Sequence, residues 1–287
     1  MMHTVFLLIN TVIVLDVLYL YLIMPRIPRR HDETVFKKGS LFAHRGLFDN
    51  AAGVPENSLR AFEKAAAMGV GIELDVQLSA DGVPVVFHDA ALTRMCGEEQ
   101  KVTKLSLSEL KKYSLLDTDE TIPTLEEALG VIRGRVPLLV EIKMETANPE
   151  VCRKADRILS SYSGPYCMES FNPFACLWYR IRRPQVLRGQ LSDGFYRDAA
   201  FRRPKYYAFA VALSFLLLDF LSRPDFIAYN YDYRNNMSRR LCRRLFRGWS
   251  AAWTIKSEEQ LEKAAPHFDV CIFDSFMPSQ VAQQQFG

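Results

Sequence analysis

The chain has 287 residues, 49% hydrophobic and 24% charged, with 36 Lys and Arg against 33 Asp and Glu. That is apolar material enough for one large core and excludes a disordered chain; a net charge of +3, evenly spread, argues against a nucleic-acid partner, which calls for a dense basic face. The six cysteines, Cys96, Cys152, Cys167, Cys176, Cys242 and Cys271, contain no C-x-x-C pair. Buried thiols in a reducing compartment are expected, not a zinc ribbon or a disulfide framework.

The first element is an apolar run over 4–24, broken only by Asn10 and Asp16 and, at about 1.5 Å per residue, long enough to cross a hydrocarbon layer of about 30 Å. Its start lacks the positive stretch of a signal peptide, and its end, Met24-Pro25-Arg26, lacks a small-residue cleavage site. An uncleaved transmembrane anchor over 1–25 is therefore expected, with Asp16 a tolerated acid. Arg26, Arg29, Arg30, Lys37 and Lys38 all follow the run, so the positive-inside bias places the N-terminus outside and the body in the cytoplasm. A basic linker, 26–39, leads to a single domain over 40–287.

In that domain short apolar strands alternate with amphipathic helices, the pattern of a parallel sheet with crossover helices. Strands are expected over 40–46, 71–79, 83–88, 137–143, 165–171, 186–192, 226–232, 249–255 and 270–275. Helices are expected over 57–68, 107–113, 124–132, 149–161, 174–182, 237–246 and 257–267, opened at Asn57, Asn172-Pro173 and Ser257 among others. Asp81-Gly82 reads as a two-residue hairpin that turns the third strand back on the second and sets Asp75 opposite His88. Eight parallel strands remain in about 240 residues, which fits a TIM (β/α)8 barrel preceded by one N-terminal transmembrane helix. A second apolar run, 206–221, is too short to span; behind Arg202, Arg203 and Lys205 it reads equally as a helix in the headgroup region or as a buried helix of the domain.

Glu73 and Asp75 are two apart on a strand and project from one face, and Glu141 and Lys143 repeat that spacing on the next parallel strand. Three carboxylates suit a hard divalent ion, magnesium or calcium, better than zinc. His44, Arg45 and Gly46 end the first strand, where barrel active sites gather. Two imidazoles beside a cation fit acid–base cleavage of a phosphodiester, with guanidinium and metal offsetting phosphoryl charge.

The motifs His44-Arg45-Gly46, Pro55-Glu56-Asn57-Ser58, Glu73-Leu74-Asp75-Val76, Asp81-Gly82, Val85-Val86-Phe87-His88-Asp89, Ile122-Pro123-Thr124-Leu125-Glu126 and Glu141-Ile142-Lys143 occur in an order and spacing that resembles the glycerophosphodiester phosphodiesterase family. The resemblance runs from Ser40 to the C-terminus. It implies His44 and His88 as the acid–base pair, Glu73, Asp75 and Glu141 as metal ligands, and Arg45 and Lys143 as phosphate holders. Glu56 is similar to the family's supporting acid and Trp253 to its aromatic near the glycerol. The implied reaction is attack by the glycerol 2-hydroxyl on phosphorus, which releases an alcohol and gives a cyclic phosphate that water then opens to glycerol 3-phosphate. The segment 270–278 departs from the family's usual Thr-Asp-x-Pro ending, and the thirty or so residues of 90–121 make a shallow cap. A shallow mouth beside a membrane also suits a lysophospholipid, so lysophospholipase D is a second reading; a catalytically silent, membrane-tethered lipid-binding module is a third. Lys143 could instead simply neutralise Glu141, Trp253 could fill the barrel, and Arg239, Arg240, Arg243, Arg244 and Arg247 could form a solvated helix face or a lipid dock.

Overall fold

The computed structural model describes residues 2–28, 32–201 and 203–279; Arg29, Arg30 and Arg202, invoked above, lie outside them. The N-terminal apolar run is helix α1, Met2–Ile23, the one helix among the described residues long and apolar enough to cross a membrane. Residues 2–18 are exposed along their whole length, whereas Ile23 is fully buried.

The barrel begins with β1 (Ser40–Ala43), α2 (Leu59–Ala67), β2 (Gly71–Leu78) and β3 (Pro84–Val86). After the short helices α3 (Thr93–Cys96) and α4 (Leu107–Leu110) come α5 (Leu125–Ile132), β4 (Leu138–Ile142), α6 (Glu150–Leu159), β5 (Tyr166–Ser170), α7 (Pro173–Arg182) and β6 (Arg188–Ser192). The remainder is α8 (Pro204–Ser214), α9 (Asp219–Ser222), β7 (Phe226–Asn230), α10 (Met237–Leu245), β8 (Trp249–Ile255), α11 (Glu258–Ala264) and β9 (Val270–Phe273). All nine expected strands form. Eight run parallel, and the ring closes where β9 returns to β1 from Ser40↔Val270 to Ala43↔Phe273. This is the (β/α)8 barrel that the strand count implies.

Strand alternation sorts the residues. On β2, Ile72, Leu74 and Val76 join the core beneath the helices, while Gly71, Glu73, Asp75 and Gln77 take the opposite, inner face. Phe42, Leu139, Cys167, Phe226, Ala251 and Val270 fill the lower interior, closed by Val35 and Phe36; the Phe36 ring lies 4.6 Å from that of Phe226. Asp75, Glu141 and Glu169 lie one layer above this apolar interior, and Glu73 shares the register layer of Leu139. All six cysteines are free thiols, five of them buried and Cys96 half-buried.

Three local expectations are corrected. Strand β3 pairs through Val76↔Val86, Gln77↔Val85 and Leu78↔Pro84, so Phe87, not His88, comes opposite Asp75, and Phe87 N donates to Asp75 O at 3.0 Å. The turn holds residues 80–82, with Gly82 at φ 76° and Asp81 accepting from Ser79 Oγ at 2.6 Å and Leu107 N at 3.0 Å. Asp81 therefore serves the start of α4, and the extra turn residue shifts the register by one. Helix α2 is capped by Ser58, whose Oγ accepts from Ala61 N, because the Asn57 side chain is drawn to Asp75. Finally, the 206–221 run is broken into α8 and α9, with residues 204–209 exposed and Ala210 and Ser214 buried, so it is neither a wholly buried helix nor one continuous one.

Candidate active site

Ala43, the last residue of β1, hands the chain to His44, Arg45 and Gly46 at the rim. Arg45 (φ 56°) and Gly46 (φ 80°) are left-handed, and a Cβ on Gly46 would come within 2.9 Å of Ala61 Cβ, so this turn against α2 needs glycine. The turn aims Arg45 N at Glu73 Oε2 (2.8 Å) and the guanidinium at Glu56 Oε1 (2.6 Å) and Asp75 Oδ2 (3.5 Å).

Glu73, Asp75 and Glu141 are buried and offer oxygen atoms all within 4.8 Å of one another. Parallel pairing produces this: Asp75 is the direct register partner of Glu141, which in turn partners Glu169 on β5. Lys143 Nζ sits 2.9 Å from Asp75 Oδ1 and 2.8 Å from Glu141 Oε1. Burial raises the Asp75 pKa, but Lys143, His88 and Arg45 outweigh it and hold the carboxyl far below the usual range. Glu141 is pushed up to about 7 by burial, with the Asp75 charge adding to it against Lys143. Glu73 is raised well above its ordinary value by burial and by Asp75, Glu141 and Glu169. Acids crowded until two resist ionisation are what an oxygen-ligated divalent cation relieves, so the donor set fits such an ion.

The two histidines are set alike. His44 Nδ1 donates to Asp274 Oδ2 at 2.8 Å, and His88 Nδ1 donates to Asp89 Oδ1 at 2.6 Å, which leaves each Nε2 as the unengaged nitrogen. Burial lowers both pKa values against the carboxylates' pull. Glu56 lies one layer out, gripped by Arg45 and by Arg94, whose Nη2 is 2.7 Å from Glu56 Oε1. Lys143, His88 and Glu141 line a cavity of about 270 Å³ whose other wall is Met144, Phe171, Phe209 and Leu213. Trp253 packs against Phe171, its ring 5.5 Å away, and its Nε1 is buried without a partner among the described residues. Of the α10 arginines, Arg239 is buried against Phe268 and donates to His267 O at 3.0 Å, and Arg243 pairs with Asp269; Arg240 and Arg244 are exposed.

Sequence reasoning places none of four residues found here in the site and reads Asn57 only as a helix cap. Asp89 follows His88 directly and was legible as its neighbour. Asn57 steadies Asp75 with a 2.8 Å bond from Nδ2. Glu169, the lone acid of an apolar strand, is buried beside Glu141, and its Oε2 has no hydrogen-bond partner among the described residues. Asp274 is 230 positions from His44 and no local signal joins them.

A barrel whose polar rim pairs buried acids with two imidazoles and fixed cations defines a (β/α)8 hydrolase of phosphate esters. Residues 44–262 match the glycerophosphoryl diester phosphodiesterase family. A glycerophosphodiester phosphodiesterase from Caldanaerobacter subterraneus subsp. tengcongensis is 39% identical over 166 residues, 54% of this chain and 67% of that protein. One from Bacillus altitudinis is 38% identical over 114 residues, 37% of this chain, and there the match spans under half of the relative's length, 45%. Among solved structures, an Oleispira antarctica phosphodiesterase in complex with the product sn-glycerol-3-phosphate superposes with a TM-score of 0.67 at 25% identity, covering 86% of this chain and 97% of that one. The chain belongs to the glycerophosphoryl diester phosphodiesterase family and is a phosphodiester hydrolase.

Proposed function

We propose that the protein hydrolyses glycerophosphodiesters to glycerol 3-phosphate and an alcohol, with His44 and His88 as the acid–base pair. The observation that carries this reading is the meeting at one rim of the Glu73, Asp75 and Glu141 cluster with two imidazoles, each fixed by its own carboxylate. The hydrogen bond on each Nδ1 holds the tautomer that directs Nε2 toward substrate; one imidazole takes the proton of the attacking hydroxyl and the other, once protonated, gives one to the leaving alkoxide. Glu73, Asp75 and Glu141 would hold magnesium or calcium, which when bound supplies positive charge against the phosphoryl oxygens. Arg45 and Lys143 lend fixed positive charge to the phosphate, and Glu56 keeps the Arg45 guanidinium in place. Trp253, with an unsatisfied Nε1 among the described residues and its ring against Phe171 of the cavity wall, contributes to the substrate side.

The full chain in detergent is expected to release glycerol 3-phosphate from glycerophosphocholine, and to lose that release on chelation and in His44→Ala. Persistence of release in both would overturn the assignment. The apolar wall formed by Met144, Phe171, Phe209 and Leu213 favours lysophospholipase D as a second reading, because a deacylated diester has no chain to lay there. For α1 we propose an uncleaved anchor with the N-terminus outside and the barrel in the cytoplasm. Its last turn is part of the domain: Ile23 is buried, and Ile23 O accepts from Cys242 Sγ.

A further inference from the structure

Helix α1 docks on the barrel in a definite direction. Tyr19 OH is 2.7 Å from Ser238 Oγ, Ile23 O meets Cys242, and Pro25 lies against Gly248. Ser238 is at the start of α10, just past the C-terminal end of β7, and Gly248 precedes the N-terminal end of β8. Helix α1 therefore descends beside α10 from the catalytic rim toward the barrel floor, where Arg26 N donates to Pro224 O at 3.0 Å. Its exposed residues 2–18 project the other way, beyond the rim, for about 25 Å, close to the thickness of a hydrocarbon core.

Helix α8 leaves the same rim. Its C-terminal end is pinned there, with Ser192 Oγ donating to Leu213 O (2.8 Å) and Asn236 Nδ2 to Ser214 O (3.1 Å), next to the α10 terminus that α1 touches. Lys205 is its one charged residue, and its apolar side chains lie all round, a pattern of helices buried in protein or lipid. Yet Tyr206, Tyr207 and Phe209 are 44 to 49% exposed. Tyrosines with a lysine over the ring, Lys205 Nζ being 5.5 Å from the Tyr206 centroid, and an exposed Arg203 are the composition of a headgroup boundary.

We infer that α8 enters the leaflet from which α1 emerges, so that the catalytic mouth is pressed against the bilayer. Phe209 and Leu213 then form a continuous apolar path from lipid to the cavity holding His88 and Lys143. A diester bearing a single acyl chain reaches the cavity along α8 without leaving the membrane. This substrate class rests on the phosphodiesterase reading; the docking does not.

Full-length protein in phosphatidylcholine–phosphatidylglycerol vesicles, carrying an environment-sensitive label at Tyr207→Cys or at Ser161→Cys on the exposed turn before β5, tests the docking. Lipid-borne quenchers are expected to quench the label at 207 and leave that at 161 unaffected. Equal quenching at both sites, or shielding at 207 that varies with protein density as contact with a second copy would, overturns it. In the second arm, Tyr206→Asp with Tyr207→Asp is expected to slow cleavage of vesicle-borne lysophosphatidylcholine about tenfold, with soluble glycerophosphocholine cleaved at the parental rate. Equal slowing of both substrates overturns the membrane route. Failure of the parent to cleave either substrate sinks the phosphodiesterase reading and leaves the labelling result to decide the docking.

Discussion

His44 and His88 differ in what holds them. Asp89 is adjacent in sequence to its histidine, whereas Asp274 stands just past the strand that closes the ring and is further tied by Ser275 Oγ at 2.8 Å. Asp274→Asn keeps the shape but can turn its amide N–H₂ to His44, favouring the wrong tautomer; kcat is expected to fall about 10- to 100-fold with KM little changed, read by steady-state kinetics. The acid cluster makes a pH prediction of definite sign. Glu141, with its pKa raised to about 7 in the folded chain, carries a proton below that pH and must release it to ligate an ion. Metal affinity should therefore fall as pH drops from 8 to 6, and calorimetry in two buffers of different ionisation enthalpy should show proton release on binding. The same raised pKa means that Glu141 favours the metal-free fold most at acid pH, a contribution lost as pH climbs through 7.

Elements were legible to different degrees. The alternation of β2, apolar at Ile72, Leu74 and Val76 and acidic at Glu73 and Asp75, revealed both its two-faced burial and the shared direction of its acids. Glu141 followed from the same rule on β4, since parallel neighbours align side chains in layers. The hairpin was legible but its register was not, because Asp81 bonds to Leu107 N, a partner 26 residues away that a local turn rule cannot see. Asp274 and Glu169 were hidden for a like reason: each gains meaning only from a strand distant in sequence. At the turn after β1, Gly46→Ala is expected to lose about 1–3 kcal/mol through its left-handed φ and the contact with Ala61, measurable as a lower urea midpoint. Normal stability in that variant would show that α2 can retreat.

At the scale of the molecule, α1 has two parts with separate duties. Residues 2–18 are exposed throughout, so deleting the chain up to residue 18 should leave the barrel's thermal midpoint nearly unchanged. Deleting through Ile23 also removes a fully buried side chain, worth about 1.5–3 kcal/mol, together with the bond from Arg223 Nη1 to Tyr21 O, and should lower the midpoint by roughly 4 °C or more in a detergent melt. Ring closure has a consequence of timing. Because β1 finds its second neighbour only in β9, and the carboxylate bonded to His44 stands just past β9, a nascent chain emerging from the ribosome has Glu73, Asp75, Glu141 and His88 long before His44 is set. The rim is then completed in a single late event, when the final strand seats.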